Sequence, residues 1–376
     1  MAFYADFFQK LQPWQRKNGP AYEALFSIGS GSFGTVQVAK SNTSLGRVAV
    51  KAMSLRDASG KSSRSRAESA WHEVHHTQHI LKQQQQHMAG NGLTVHGSQF
   101  ICTVHEVFFD KDTCKVMLAM ELADRTLLSE IRRYQVFSDE EVRVFMVGLL
   151  RALQWLGHCQ VCHNDITPSN VLLFKPPMGD AFTWQVKLSD FGSSSSPKRP
   201  RQMVTTFNYA APEMLRFVNS LALTGHGIAN APCPYTHASD VWSVGVIMSE
   251  LLSEDACYNV VTSTDDPKMS KAEGFLSGIS SMLSTMHAKL DLEGSLDHTC
   301  LSNSGLSLAS HMLQQAPSER ICPNDALKHA WFKNPTPLTC PTGHGGSSKN
   351  PVFDRAGLAI ARAYALLSGI RGCPLA

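Results

Sequence analysis

Long apolar runs are missing from this 376-residue chain. No stretch of roughly 20 consecutive apolar residues exists, so no segment reads as a membrane span. An excess of one charge is also missing. The 34 Lys and Arg nearly balance 31 Asp and Glu, for a net charge of +3. So small a surplus argues for neither a nucleic-acid nor a membrane partner. The N-terminal MAFYADFFQKLQPWQRKN is aromatic-rich, but Asp6 and Lys10 interrupt its apolar part and break a signal-peptide core. Ala2 offers no myristoylation site. Cys159 and Cys162 form a C-x-x-C, yet no second pair completes a zinc set, so they read as helix-end and core thiols. Without a secretory signal the ten cysteines are expected to be reduced. The expected compartment is cytoplasmic, with nothing to separate cytosol from nucleus. Internal repeats are absent.

What is present is ordinary globular material, 43% hydrophobic and 17% charged. The length suffices for two lobes sharing one cleft. Residues 1–21 read as an N-terminal extension. From Tyr22 to Ala52 the text is strand-like, with Gly punctuation and alternating Val. Residues 54–69 are Ser- and Arg-rich without periodicity and read as a linker. AESAWHEVHHTQHILKQQQQH reads as a helix fading into polar sequence. QQQQH and GNGLTVHGS then suggest a loop of about 15 residues. FICTVHEVFF and CKVMLAMEL carry strand patterns. Beyond them the text turns helical. Ser138 and Glu141 have capping-box spacing at the head of one helix. DVWSVGVIMSELL and LSLASHMLQQ are further helices. The tail, 334–376, is Pro-, Gly- and Ser-rich, with a possible helix after Asp354. Strands first and helices after is an α+β pattern: a small β-rich lobe, about 22–122, and a larger helical lobe, about 123–333.

Several motifs carry chemistry. Gly29-Ser30-Gly31-Ser32-Phe33-Gly34, with Val36, gives G-x-G-x-x-G-x-V. Glycines let backbone N–H groups approach phosphates closely. A strand follows rather than a helix, which disfavours a dinucleotide fold. VAVK ends at Lys51. VCHNDITPSNVLLF holds Asp165 and, five residues on, Asn170. DFG stands at Asp190–Gly192, APE at Ala211–Glu213, and DVWSVG begins at Asp240.

These motifs, in this order, resemble the protein kinase family over roughly Tyr22 to Phe332. The resemblance implies the two-lobed kinase fold. It implies an ATP- and magnesium-dependent enzyme that phosphorylates serine or threonine of protein substrates. Asp190 would hold one magnesium and Asn170 the second. Asp165 would accept or orient the substrate hydroxyl proton. Lys51 would grip the phosphates and pair with a helix glutamate, Glu73 being favoured over Glu68. The Gly29–Gly34 loop would cover the phosphates. Ala49 and Leu172 would sandwich adenine, with Met120 behind it and Glu121 to Ala123 as the hinge. Phe191 and His163 would belong to an internal stack joining the lobes. Arg320 would pair with Glu213. Thr206 would bond to Asp165, as in serine/threonine kinases.

Two positions depart from the family pattern. Asn164 replaces the Arg that, in many kinases, receives an activation-segment phosphate, and a neutral amide cannot form that charge-assisted pair. Activity independent of phosphorylation at Ser193–Ser196 is therefore expected. The bland reading of those serines is a flexible surface run. Thr167 replaces a Lys that supports the transferring phosphate. That loss would slow transfer without abolishing it, and Asn164 and Thr167 together keep a scaffold role, a pseudokinase, as the competing reading. Ala210 sits where proline-directed members carry Arg, which argues against that group. The stretch Arg216–His237 reads as a surface loop or docking insert.

Overall fold

The computed structural model describes residues 22–31, 34–42, 45–57, 59–89, 97–134, 137, 139–175, 184–196, 206, 209–223, 236–252 and 303–333. Five antiparallel strands come first: β1 (Tyr22–Gly31), β2 (Gly34–Ser41), β3 (Arg47–Ser54), β4 (Val104–Asp110) and β5 (Lys115–Glu121). Their order in the sheet is β1-β2-β3-β5-β4. Central β3 is buried at six consecutive positions, Val48 to Met53, so both its faces are covered. Val48 and Val50 pack with Ala39 and Ala119 on one side. Met53 joins Leu55, Val74, Phe109, Val116 and Leu118 on the other.

Helix α1 (Arg64–Ala89) lies between β3 and β4 in the chain and runs for 26 residues. It corrects two sequence expectations. The stretch 54–69 is not merely a linker. Leu55 is buried in the small-lobe core, and Ser63 opens the helix, accepting from the Arg66 amide at 3.4 Å. The QQQQH run is not a loop either. Glutamine is a good helix former, and Gln84 donates to the Ser98 carbonyl at 2.8 Å. Residues 90–96 of the expected loop lie outside the described residues.

The larger lobe carries a small sheet, β6 (Arg125–Thr126), β7 (Val171–Phe174) and β8 (Gln185–Leu188), in that order. Its helices are α2 (Leu127–Tyr134), α3 (Asp139–His158), α4 (Pro212–Leu223), α5 (His237–Leu252) and α6 (Asn303–Met312), with single turns α7 (Pro323–Ala326) and α8 (Ala330–Lys333). Helix α5 is mostly apolar, and Ser239 to Leu251 are buried. It packs on α3 and α6 in a core that includes Trp155, Trp242 and Trp331. Helix α3 lies directly on β8. A Cβ on Gly148 would stand 2.5 Å from Cβ of Val186.

Part of the expected insert Arg216–His237 is helical, since α4 extends to Leu223. Ser138 and the segment after Asp354 lie outside the described residues. Among the described residues, no helix is long and apolar enough to cross a membrane.

Candidate active site

A cleft of about 820 Å³ separates the five-stranded sheet from the β6–β8 sheet. Gly29, Val36, Ala49, Lys51, Glu73, Met120, Glu121, Ala123, Asn170, Leu172 and Asp190 all line it. These residues come from seven different segments of chain. Register explains part of the convergence: Ala49 pairs with Met120 and Lys51 with Leu118 across β3 and β5. Gly34 has φ +146°, and a Cβ there would collide with the Ala52 carbonyl, so the turn must be glycine. Of the expected glycine-loop residues, Ser32 and Phe33 lie outside the described residues. Ser30 and Gly31 are described only as strand backbone.

Lys51 is the electrostatic centre of the cleft. Its Nζ donates to Glu73 Oε1 at 2.7 Å and to Asp190 Oδ1 at 2.8 Å. Burial by itself would lower the Lys51 pKa, but the carboxylates of Glu73 and Asp190 outweigh it and hold the ammonium above its ordinary value. Burial would likewise raise Asp190, and Lys51 instead holds it below the usual aspartate range. Glu68 is half-buried and pairs with Arg64 at 2.8 Å, whereas Glu73 is buried and is the glutamate that meets Lys51.

Asp165 does not line the cleft itself but stands beside Asn170, which does. Its Oδ1 accepts the Thr206 amide at 3.0 Å and the Thr206 hydroxyl at 2.8 Å. Asn170 donates through Nδ2 to the Asp165 carbonyl at 2.8 Å, and the same nitrogen stands 3.4 Å from Asp165 Oδ2. Asp240 fixes the loop from below. Its two carboxylate oxygens accept the backbone amides of His163 and Asn164, each at 2.8 Å. The rings of His163 and Phe191 lie 5.2 Å apart, centroid to centroid.

Asn164 has φ +70°, a left-handed conformation that asparagine tolerates better than most residues. Its Nδ2 donates to the Ser193 carbonyl and the Ser195 hydroxyl, both at 2.9 Å. Cys162 and Ser195 exchange both backbone hydrogen bonds at 2.9 Å. Ser193, Ser194 and Ser195 are therefore buried, and the expectation of a flexible surface run fails at these three positions. Each serine is small enough to enter the interior, and its backbone polar groups find partners there.

Glu121, expected in the hinge, lines the cleft with its carboxylate committed to an ion pair. Both its oxygens meet Lys187 Nζ, at 2.8 and 2.7 Å, and Oε1 also accepts the Thr103 amide at 2.6 Å. Thr167 is buried, its hydroxyl 2.7 Å from that of Ser169. Cys159 and Cys162 are free buried thiols, and burial pushes Cys159 up to about 12. Cys162, His237 and Asp240 bring ligand atoms within 4.8 Å of one another. Both Asp240 oxygens are already taken by the loop amides.

Sequence reasoning missed Lys187, His76 and the anchoring role of Asp240. Only Asp240 had a signal, its place in the DVWSVG motif.

Across the larger lobe, Arg320 grips Glu213 with two bonds, at 2.7 and 2.6 Å, while its guanidinium lies 5.1 Å from the centre of the Trp242 ring. The protein kinase domain family matches residues 22–332. The chain belongs to the protein kinase family. Its kinase-family relatives include a cyclin-dependent kinase G-2 of Oryza sativa subsp. indica, 27% identical over 255 residues, covering 62% of this chain and 33% of that protein. Aurora kinase B of Danio rerio is 28% identical over 230 residues, covering 60% of this chain and 58% of that protein. Mitogen-activated protein kinase 5 of Arabidopsis thaliana is 31% identical over 151 residues, covering 39% and 35%. The chain thus aligns with about a third of the length of the first of these relatives.

Proposed function

We propose that this kinase-family chain transfers the γ-phosphoryl group of ATP to serine or threonine hydroxyls of protein substrates. The observation that carries this reading is the junction of Lys51 with Glu73 and Asp190 at the cleft wall. Phosphoryl transfer asks mainly for positioning and charge neutralisation. Lys51 supplies a permanent cation for the phosphates. Glu73 keeps that cation in place while Asp190 is engaged elsewhere.

Magnesium fits the residues present. Asp190 is a carboxylate facing the cleft, and Asn170 spends its Nδ2 on Asp165, which leaves its amide oxygen for a cation. Hard oxygen donors of this kind suit magnesium, which when bound neutralises phosphate charge. Asp165 is oriented for the proton. Thr206 makes two bonds to Oδ1, while Oδ2 has only the long 3.4 Å contact from Asn170, so Oδ2 is the oxygen better placed to receive the proton of the attacking hydroxyl. The Thr206–Asp165 bond also supports serine/threonine rather than tyrosine substrates.

The competing reading, a nucleotide-binding scaffold, rests on Thr167. It bonds to Ser169 where the family places a cation. A radiolabelled-ATP assay with magnesium, casein and myelin basic protein separates the two. Transfer by the wild type that Asp165→Asn abolishes supports the enzyme. Nucleotide binding without transfer by either supports the scaffold.

A further inference from the structure

The segment following Asp190-Phe191-Gly192 is tied to two elements at once. Asn164 and Cys162 hold it to the catalytic loop, as described. On its other side it meets α1. The hydroxyl of Ser194 lies 2.8 Å from Nδ1 of His76, and both residues are buried. The same hydroxyl donates to the Phe191 carbonyl at 2.6 Å. A serine hydroxyl has one proton. With that proton on the Phe191 carbonyl, the bond to Ser194 calls for a hydrogen on Nδ1 of His76. His76 is three residues beyond Glu73, on the same face of the helix. The bond therefore joins the turn bearing Asp190 to the helical turn bearing Glu73, and those two carboxylates share Lys51.

We propose that His76 and Ser194 are positioning residues, a latch that holds Glu73 and Asp190 in register around Lys51 with no phosphate on the activation segment. The latch rests on the phosphoryl-transfer reading for its purpose, but its existence does not. A phosphorylated segment would gain its hold through charge-assisted bonds to an arginine. Here the hold comes from buried hydrogen bonds within the chain, which salt screens much less than exposed charge pairs. Asn164 is part of the same arrangement. Its donations to Ser193 and Ser195 fix the residues on either side of Ser194.

The test uses the full chain with His76→Leu, His76→Asn, Ser194→Ala and the double variant His76→Leu/Ser194→Ala. Asn keeps a nitrogen donor near the place of Nδ1. Two readouts are taken: deuterium uptake of the segments 72–80 and 190–195, and kcat and KM for ATP. His76→Leu and Ser194→Ala are each expected to speed exchange in both segments. Each should lower kcat about tenfold, the scale of a coupling between residues in contact. His76→Asn should recover most of the loss, and the double variant should be no worse than the poorer single. The proposal is overturned if Ser194→Ala leaves exchange in 72–80 unchanged, or if the two single effects multiply. If the wild type transfers no phosphate, the exchange measurements still decide the latch, and only the transfer reading falls.

Discussion

The hydroxyl of Thr206 lies 2.8 Å from Oδ1 of Asp165, across 41 residues of sequence. It couples the end of the activation segment to the carboxylate proposed to take the substrate's proton. Asp165→Asn should lower kcat by about 10²–10⁴-fold, the usual contribution of a positioned general base. Thr206→Val should lower it less, up to about 10²-fold, because it misplaces the carboxylate without removing it. Steady-state rates on a serine peptide check both. A Thr206→Val enzyme as fast as wild type would remove the threonine from the mechanism.

The buried Glu213–Arg320 pair sets an acid limit on stability. Burial would raise the Glu213 pKa, but Arg320 holds it below the usual glutamate range. A depressed folded pKa stabilises the fold above the ordinary carboxylate range. That contribution is lost as pH falls through the folded value. Glu213→Gln should cost about 3–5 kcal/mol near neutral pH, since it strands a buried guanidinium. The gap between variant and wild type should close as the solution is acidified. Urea unfolding at several pH values measures it, and a gap independent of pH would refute the linkage.

Asn164→Arg restores the family residue, yet it should not improve this protein. The larger side chain must displace the bonds to Ser193 and Ser195, and overpacking a filled site costs about 1–3 kcal/mol. The expected outcome is a lower melting temperature and a lower rate. Phosphatase treatment of the wild type should leave its rate unchanged. A rate abolished by phosphatase and restored by phosphorylation at Ser193–Ser196 would sink the expectation.

Gly148→Ala tests the contact between α3 and β8. Alanine in place of glycine would favour a helix by about 1 kcal/mol. The new Cβ, however, meets Cβ of Val186, which is not a flexible chain end. Overpacking of about 1–3 kcal/mol should win, so the variant is expected to be less stable. Adding Val186→Ala should recover part of the loss, and denaturation of the double variant checks that.

The site was legible in the sequence where motifs carry their own spacing. Gly29, Lys51, Asn170 and Asp190 line one cleft, and Asp165 stands beside Asn170. Glu73, favoured over Glu68, is the glutamate that Lys51 meets. What could not be read is contact without a local pattern. Ser194 and His76 are 118 residues apart, and Lys187 and Glu121 are 66 apart. Nothing in a serine run says whether it is buried, because its exposure depends on partners elsewhere. The length of α1 was hidden for a different reason. Its apolar periodicity fades at Gln83, but helix propensity and the Gln84 bond to Ser98 carry it on.

That same helix decides how the chain can be divided. Ala67, Ala70 and Val74 of α1 belong to the small-lobe core, whereas Ile80 belongs to the core around Trp155 and Trp242. His79 contacts the Cys159 carbonyl at the end of α3, at 3.0 Å. One rod is thus seated in both hydrophobic interiors. A protein cut near residue 122 would yield a first fragment with Ile80 and Ile101 stripped of cover, and a second with a groove where they had been. The two lobes are visible as shapes, but they are not separable parts.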